Sequence, residues 1–327
     1  MKNNFLSLWL CMMVLVSCNH KDLCYGHDSH TPRHSVDLNI QAELQWQYSF
    51  NGPWQTGWKN YDSFLPGWPQ GFRCMVHYPE TDRWDEYNLS EKGGGMQVDA
   101  GLKNLLVYNN DTEFVTFKKE ADNNWWITTN EVQRSTYEGN SFVGDGKEKT
   151  VNMPDVVFAD YIPVVRTEES LVPEAVDALC RPLVYTWYVR FEFSQGADYI
   201  ALCRGAMAGV AGAVCLNRRI CSTENVPVLF DAEKETGAVT ATVRAFGLPE
   251  TDNDSLKVGL NLEVMLTNTR ILDFDFDITG QMKAQPQGGV VVVKGLVITE
   301  EQGRMPENGY EIKVNGWGDY EDVPLNF

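Results

Sequence analysis

Four of the five histidines, His20, His27, His30 and His34, fall within fifteen residues together with Cys24 and Asp28. Imidazole and thiolate are good ligands for zinc or copper, and a flexible segment could gather several of them. The spacing matches no defined zinc motif, and ordering mobile residues around an ion costs conformational entropy. A polar tether without metal or other cofactor is therefore expected, with His20, Cys24, His27 and His30 the residues that would hold an ion if one bound.

A second cysteine has a more definite chemistry. Lys2 gives the chain a positive start, and Phe5 to Val16 (FLSLWLCMMVLV) is an apolar run of twelve residues. That suits the core of a signal peptide and is short of the roughly 20 residues that a membrane-crossing helix needs. Leu15-Val16-Ser17-Cys18 closes the run. It resembles the lipobox of exported lipoproteins, in which small or aliphatic residues fit the peptidase and the thiol takes a diacylglyceryl group. Residues 1–17 are expected to be removed, leaving Cys18 as a lipid-bearing amino terminus that holds the chain to a membrane through its acyl chains.

Aromatic residues offer a third chemistry. Trp46, Trp54, Trp58, Trp68, Trp84, Trp125 and Trp126 all lie in the first 126 residues, and around 50–71 tryptophans alternate with Gly and Pro. Rings on loops could stack on sugars, with Trp54, Trp58 and Trp68 the candidate ligand contacts, or could plug one end of a β-sandwich. Asp273, Asp275 and Asp277 alternate with Phe274 and Phe276. They lack the glycine and glutamate of a calcium loop, so a solvated acidic strand face is expected.

Catalytic motifs are missing. The chain contains no GxSxG, HExxH, P-loop or dinucleotide glycine fingerprint. Outside the tether only His77 could act as a histidine base, and carboxylate pairs such as Asp82 with Asp85 are expected by chance in so acidic a chain. A non-enzyme is the expectation. The formal net charge of −18 repels phosphate backbones and argues against nucleic-acid binding.

The elements that must position these residues read as strands. Hydrophobic residues make up 43% of the chain, enough for sizeable cores. Val36, Leu38, Ile40, Ala42, Leu44 and Trp46 alternate with polar partners, as do Phe72, Cys74, Val76 and Tyr78. Residues 105–117 read as strand, turn, strand. Pro154, Pro163, Pro173 and Pro182 punctuate a boundary region, in which 173–179 suggests a short helix. Strand patterning resumes at 184–193, where Tyr185, Trp187, Val189, Phe191 and Phe193 share a face. It continues at 199–202, 226–230, 239–246, 256–266, 272–278, 290–298 and 310–314. The small-residue run 205–214 (GAMAGVAGAV) reads as a tight helical turn. No stretch sustains a helical period, so an all-β protein built of sandwiches is expected. The segments are a signal peptide at 1–17, a lipidated tether at 18–35, an N-terminal sandwich at 36–165 and a C-terminal one at 175–327. Six cysteines beyond the acylated one, Cys24, Cys74, Cys180, Cys203, Cys215 and Cys221, allow 15 pairings, and nothing in the sequence chooses among them.

Several segments together are similar to those of a known family. They are HKDLCYGHDSH at 20–30, LLVYNNDTEFVTF at 105–117, MPDVVFAD at 153–160 and GAMAGVAGAVCL at 205–216. FGL at 246–248, FDFDITGQ at 274–281, VVVVKGLVI at 290–298 and VNGWGDYEDVPL at 314–325 follow in order. The chain resembles the Bacteroidales lipoproteins of the DUF5119 type, which are similar to fimbrillin-associated anchor proteins. The resemblance implies two tandem transthyretin-like sandwiches on a lipidated tether at the outer membrane, exposed at the cell surface. It also implies a role in anchoring or accessory assembly of fimbriae, with fimbrial subunits as partners through β-strand addition. The other reading is a surface lipoprotein that binds glycans through the tryptophan-rich loops.

Overall fold

A computed structural model describes residues 33–42, 55, 57–64, 66–143, 149–168, 172–252, 254–304 and 321–322. The first half supplies β1 (Arg33–Ala42), β2 (Gly71–Tyr78), β3 (Arg83–Ser90), β4 (Gly93–Asp99) and β5 (Gly101–Asn109). It continues with β6 (Val115–Lys119), β7 (Trp125–Thr129), β8 (Val132–Gln133), β9 (Phe158–Thr167) and β10 (Glu174–Pro182). Seven of these form a ring in the order β1-β10-β9-β5-β2-β3-β4, which closes where β4 pairs with β1. Alternation explains its interior: Phe72, Cys74 and Val76 of β2 and Ala178 and Cys180 of β10 face one core with Leu38 and Phe158.

The second half supplies β11 (Tyr185–Gln195), β12 (Ile200–Ala211), β13 (Ala213–Cys215), β14 (Asn225–Asp231), β15 (Glu233–Glu235) and β16 (Ala238–Ala245). After them come β17 (Gly259–Leu266), β18 (Ile271–Asp277), the short helix α1 (Thr279–Ala284), β19 (Gly289–Val297), α2 (Glu300–Gly303) and β20 (Glu321–Asp322). Two sheets, β15-β16-β11-β19 and β14-β12-β17-β18, enclose a core. The aromatic face read from the sequence is there: Trp187, Val189 and Phe191 are fully enclosed, and Phe193 and Tyr185 pack with them. Each such large apolar side chain contributes roughly 1.5–3 kcal/mol by leaving water. The all-β expectation is met.

Two local expectations are corrected. The run 205–214 is no helical turn; 205–211 form most of β12, a central strand buried on both faces. Burial on both faces erases the period-two signal, and the small side chains let residues from the first half lie close over the strand. Pro173–Leu179 is no helix. Residues 174–179 belong to β10, where Val176, Ala178 and Cys180 point inward and Glu174, Asp177 and Leu179 outward. The strand, turn, strand read at 105–117 is present as β5 and β6, and the two take different partners: β5 pairs with β2 and β9, β6 with β7. β10, most of which the sequence reading assigns to the C-terminal unit, pairs with β1 and β9 of the ring. The strand expected at 310–314 lies outside the described residues.

The halves interlock. β13 adds to β7, and β20 adds to β8. A third core joins Met75, Leu106 and Tyr108 on the ring's outer face to Val184, Leu216 and Phe246 of the second half.

Candidate functional site

The side of the second sandwich where β18 and β19 end their sheets carries the most distinctive chemistry. In β18, Leu272, Phe274 and Phe276 turn toward the core yet remain only half-buried, and Val293 of β19 packs beside them. Phe276 lies against Phe191 at 5.9 Å and stacks with Phe274 at 6.5 Å. Among the described residues, β18 pairs with β17 alone. Apolar faces half-open beside an unshared strand edge are what an added strand covers.

The edge of β19 is treated differently. Helix α1 follows β18 directly and buries Met282 in the core. Gln281 and Gln285, one turn apart, present their amides to β19. Gln285 Nε2 donates to Val290 O at 2.8 Å, and Val290 N donates to Gln285 Oε1 at 2.8 Å. Gln281 repeats the pattern with Val292 at 3.1 and 2.9 Å. Each amide stands in for one residue of a neighbouring strand, so β19 is capped over 290–292. Further along, exposed Lys294 and the left-handed Gly295 (φ 80°) guard the strand. Among the described residues, no ladder and no such amide cap covers the outer edge of β18. The sequence reading missed these glutamines. Their signal is the i, i+4 spacing on a short helix between two strands.

The aspartates of β18 point to the opposite face and hold the first half of the chain. Asn261 Nδ2 donates to Asp273 at 2.8 Å and Asp275 at 3.1 Å, while Asp275 also accepts from Ser141 N at 2.8 Å. Asp273 and Asp277 are exposed as expected, but Asp275 is drawn in by these donors. Asp277 accepts from Thr279 N at the start of α1, and the hydroxyl and backbone N–H of Thr279 hold its carboxyl below the usual value. Beside them lies a buried pair: Arg204 Nε donates to Glu263 at 2.7 Å and its Nη2 to Thr136 at 2.7 Å. Arg134 reaches Gly205 O at 3.1 Å and Asn261 at 3.2 Å.

The residues singled out from sequence are dispersed. Cys18, His20, Cys24, His27, His30 and Trp54 lie outside the described residues. Trp58 is buried against Tyr188 at 5.9 Å and packs on Val290, so its ring walls the second sandwich. Trp68 is exposed. His77 is buried, within 2.9 Å of Asp82, and stacked on Trp84, which meets Trp125 edge-on. Asp85 instead binds Arg83, so the Asp82 and Asp85 carboxylates serve different partners. Cys74, Cys180, Cys203, Cys215 and Cys221 are free thiols. Among the described residues no group of His, Cys, Asp or Glu is arranged to hold a metal, and no helix is long and apolar enough to cross a membrane.

Comparison with known proteins agrees with this architecture. The model of a domain of unknown function, DUF5119, matches residues 57–231, from the Trp58 segment through the ring to β14. A Bacteroides ovatus protein named as a candidate fimbrium anchoring subunit, Fim4B, is 24% identical across 98% of this chain and 97% of its own length. A crystal structure of a candidate adhesin from the same species superposes with a TM-score of 0.59 at 20% identity, covering 85% of this chain and 95% of that one. The fimbrial anchor protein Mfa2 of Porphyromonas gingivalis aligns more loosely, with a TM-score of 0.43 at 10% identity over 80% of this chain and 90% of its own.

Proposed function

The chain belongs to the DUF5119 family, and from that premise we propose that it is a non-catalytic fimbrial anchor or accessory adhesion subunit at the cell surface. Residues 1–17 are its signal peptide, Cys18 carries the lipid that holds it to the outer membrane, and the stretch to about residue 35 is the tether. The body comprises two units that meet at Leu183 and Val184. A fimbrial subunit binds by adding a strand along β18, which extends the sheet β14-β12-β17-β18 and covers Leu272, Phe274 and Phe276.

The observation that carries this reading is the contrast between two neighbouring edges. β19 is capped by Gln281 and Gln285, while β18 keeps its aromatic side half-open. The full-length relation to a protein named for fimbrium anchoring supports the same reading. The glycan-binding alternative draws no support from Trp58, whose ring is already covered. Mixing the purified mature protein with candidate shaft subunits is expected to give a heat-stable complex, which Phe274→Asp abolishes while the circular-dichroism spectrum is unchanged. Absence of a complex with every candidate subunit overturns the proposal.

A further inference from the structure

Strand β1 follows the proposed tether, and its place in the ring has a mechanical consequence. It runs parallel to β10, with Val36 opposite Glu174 and Ala42 opposite Cys180. On its other side it runs antiparallel to β4, with Arg33 opposite Asp99 and Asn39 opposite Gly93. The chain therefore enters β1 at the pole of the ring marked by Asp99 and by Gly101 opposite Thr167.

The chain crosses into the second unit at the other pole. β10 ends at Pro182, Leu183 N donates to Val157 O at 2.8 Å, and Leu183 and Val184 are buried in the joining core. Arg219 of the second unit adds a hydrogen bond to Ala159 O at 2.8 Å and reaches Asp160 at 3.2 Å. Tension applied ahead of Arg33 and resisted by the second unit thus pulls β1 and β10 from opposite ends. Ladder hydrogen bonds lie across the strands. Loaded in this way they share the force and must yield together, whereas a pull from the same end opens them one at a time. Leu38, buried within the ring, resists the same sliding.

We propose that β1 is a shear clamp, held on one side by β10 and on the other by β4, that transmits tension from the N-terminal attachment to the second unit. The source of the load rests on the anchoring role proposed above; the clamp itself is a property of the ladder. It is stable under force because forced unfolding follows the unfolding rate, which collective rupture slows.

Single-molecule force spectroscopy on the chain from residue 18 onward tests this with two handle geometries. One pair of handles sits at the N-terminus and at Thr269, in the β17–β18 turn of the second unit. The other sits at the N-terminus and at Val172, exposed just ahead of β10. The first geometry is expected to rupture at a force several-fold above the second. Equal forces in the two geometries overturn the clamp, whatever Cys18 carries. Mass spectrometry finding Cys18 without fatty acid removes the anchoring role but leaves a several-fold force difference as proof of the clamp.

Discussion

At the scale of single residues, buried polar groups join the halves of the molecule. Arg204 and Glu263 are almost wholly buried, and Thr136 from the first half also accepts from the arginine. Glu263→Leu takes away the buried carboxylate to which Arg204 Nε donates, and is expected to cost about 3–5 kcal/mol in urea unfolding. Arg204→Met together with Glu263→Leu is expected to recover most of that loss, because no charge is then stranded. A double change as costly as the single one contradicts this reading. The thiols make a second residue-scale prediction. Burial pushes Cys74 from 9.0 up to about 12. The unfolded thiol ionises above pH 9 while the folded one keeps its proton. Stability therefore falls as pH rises through this window, by about 1.4 kcal/mol per unit for that group. Under reducing conditions, Cys74→Val is expected to lose less stability than the native chain between pH 9 and 11. Little of this was legible in the sequence: Arg134, Arg204 and Glu263 are far apart along it, and only the packing of one half on the other brings them together.

At the scale of elements, legibility followed side-chain alternation. Strands β2, β11 and β18, whose polar and apolar residues alternate along the chain, announced themselves, and each was found where expected. Strand β12 did not, because residues Val132 and Tyr137 from the first half cover Ala206 and leave no polar face to alternate. In β10 the alternation of Val176, Ala178 and Cys180 was present but weak, and the prolines around it marked a boundary region in which a short helix was expected. The edge of β19 teaches the same lesson, since a glutamine looks polar and solvated until its amide is seen against a strand. Gln285 is buried together with Val290. Gln285→Met should therefore strand the N–H and C=O of Val290, at a cost of about 1–3 kcal/mol for each buried group. Thermal or urea unfolding checks this, and an unchanged midpoint would refute the capping role.

At the scale of the whole molecule, the ring and the sandwich form one continuous body. It is joined by a shared core, by the β13–β7 ladder and by the Arg204 cluster. The N-terminal strand enters at the pole opposite the link at Leu183 and Val184, and the half-open β18 edge belongs to the second unit. This order suits a protein held at one end and loaded at the other. Strand addition to β18 by a fimbrial subunit, as proposed above, is tested most directly by hydrogen–deuterium exchange on the complex with a bound shaft subunit. Amides of residues 271–277 are expected to gain protection on binding while those of 290–292, already capped, change little. A complex that forms with 271–277 exchanging as fast as in the free protein would contradict it.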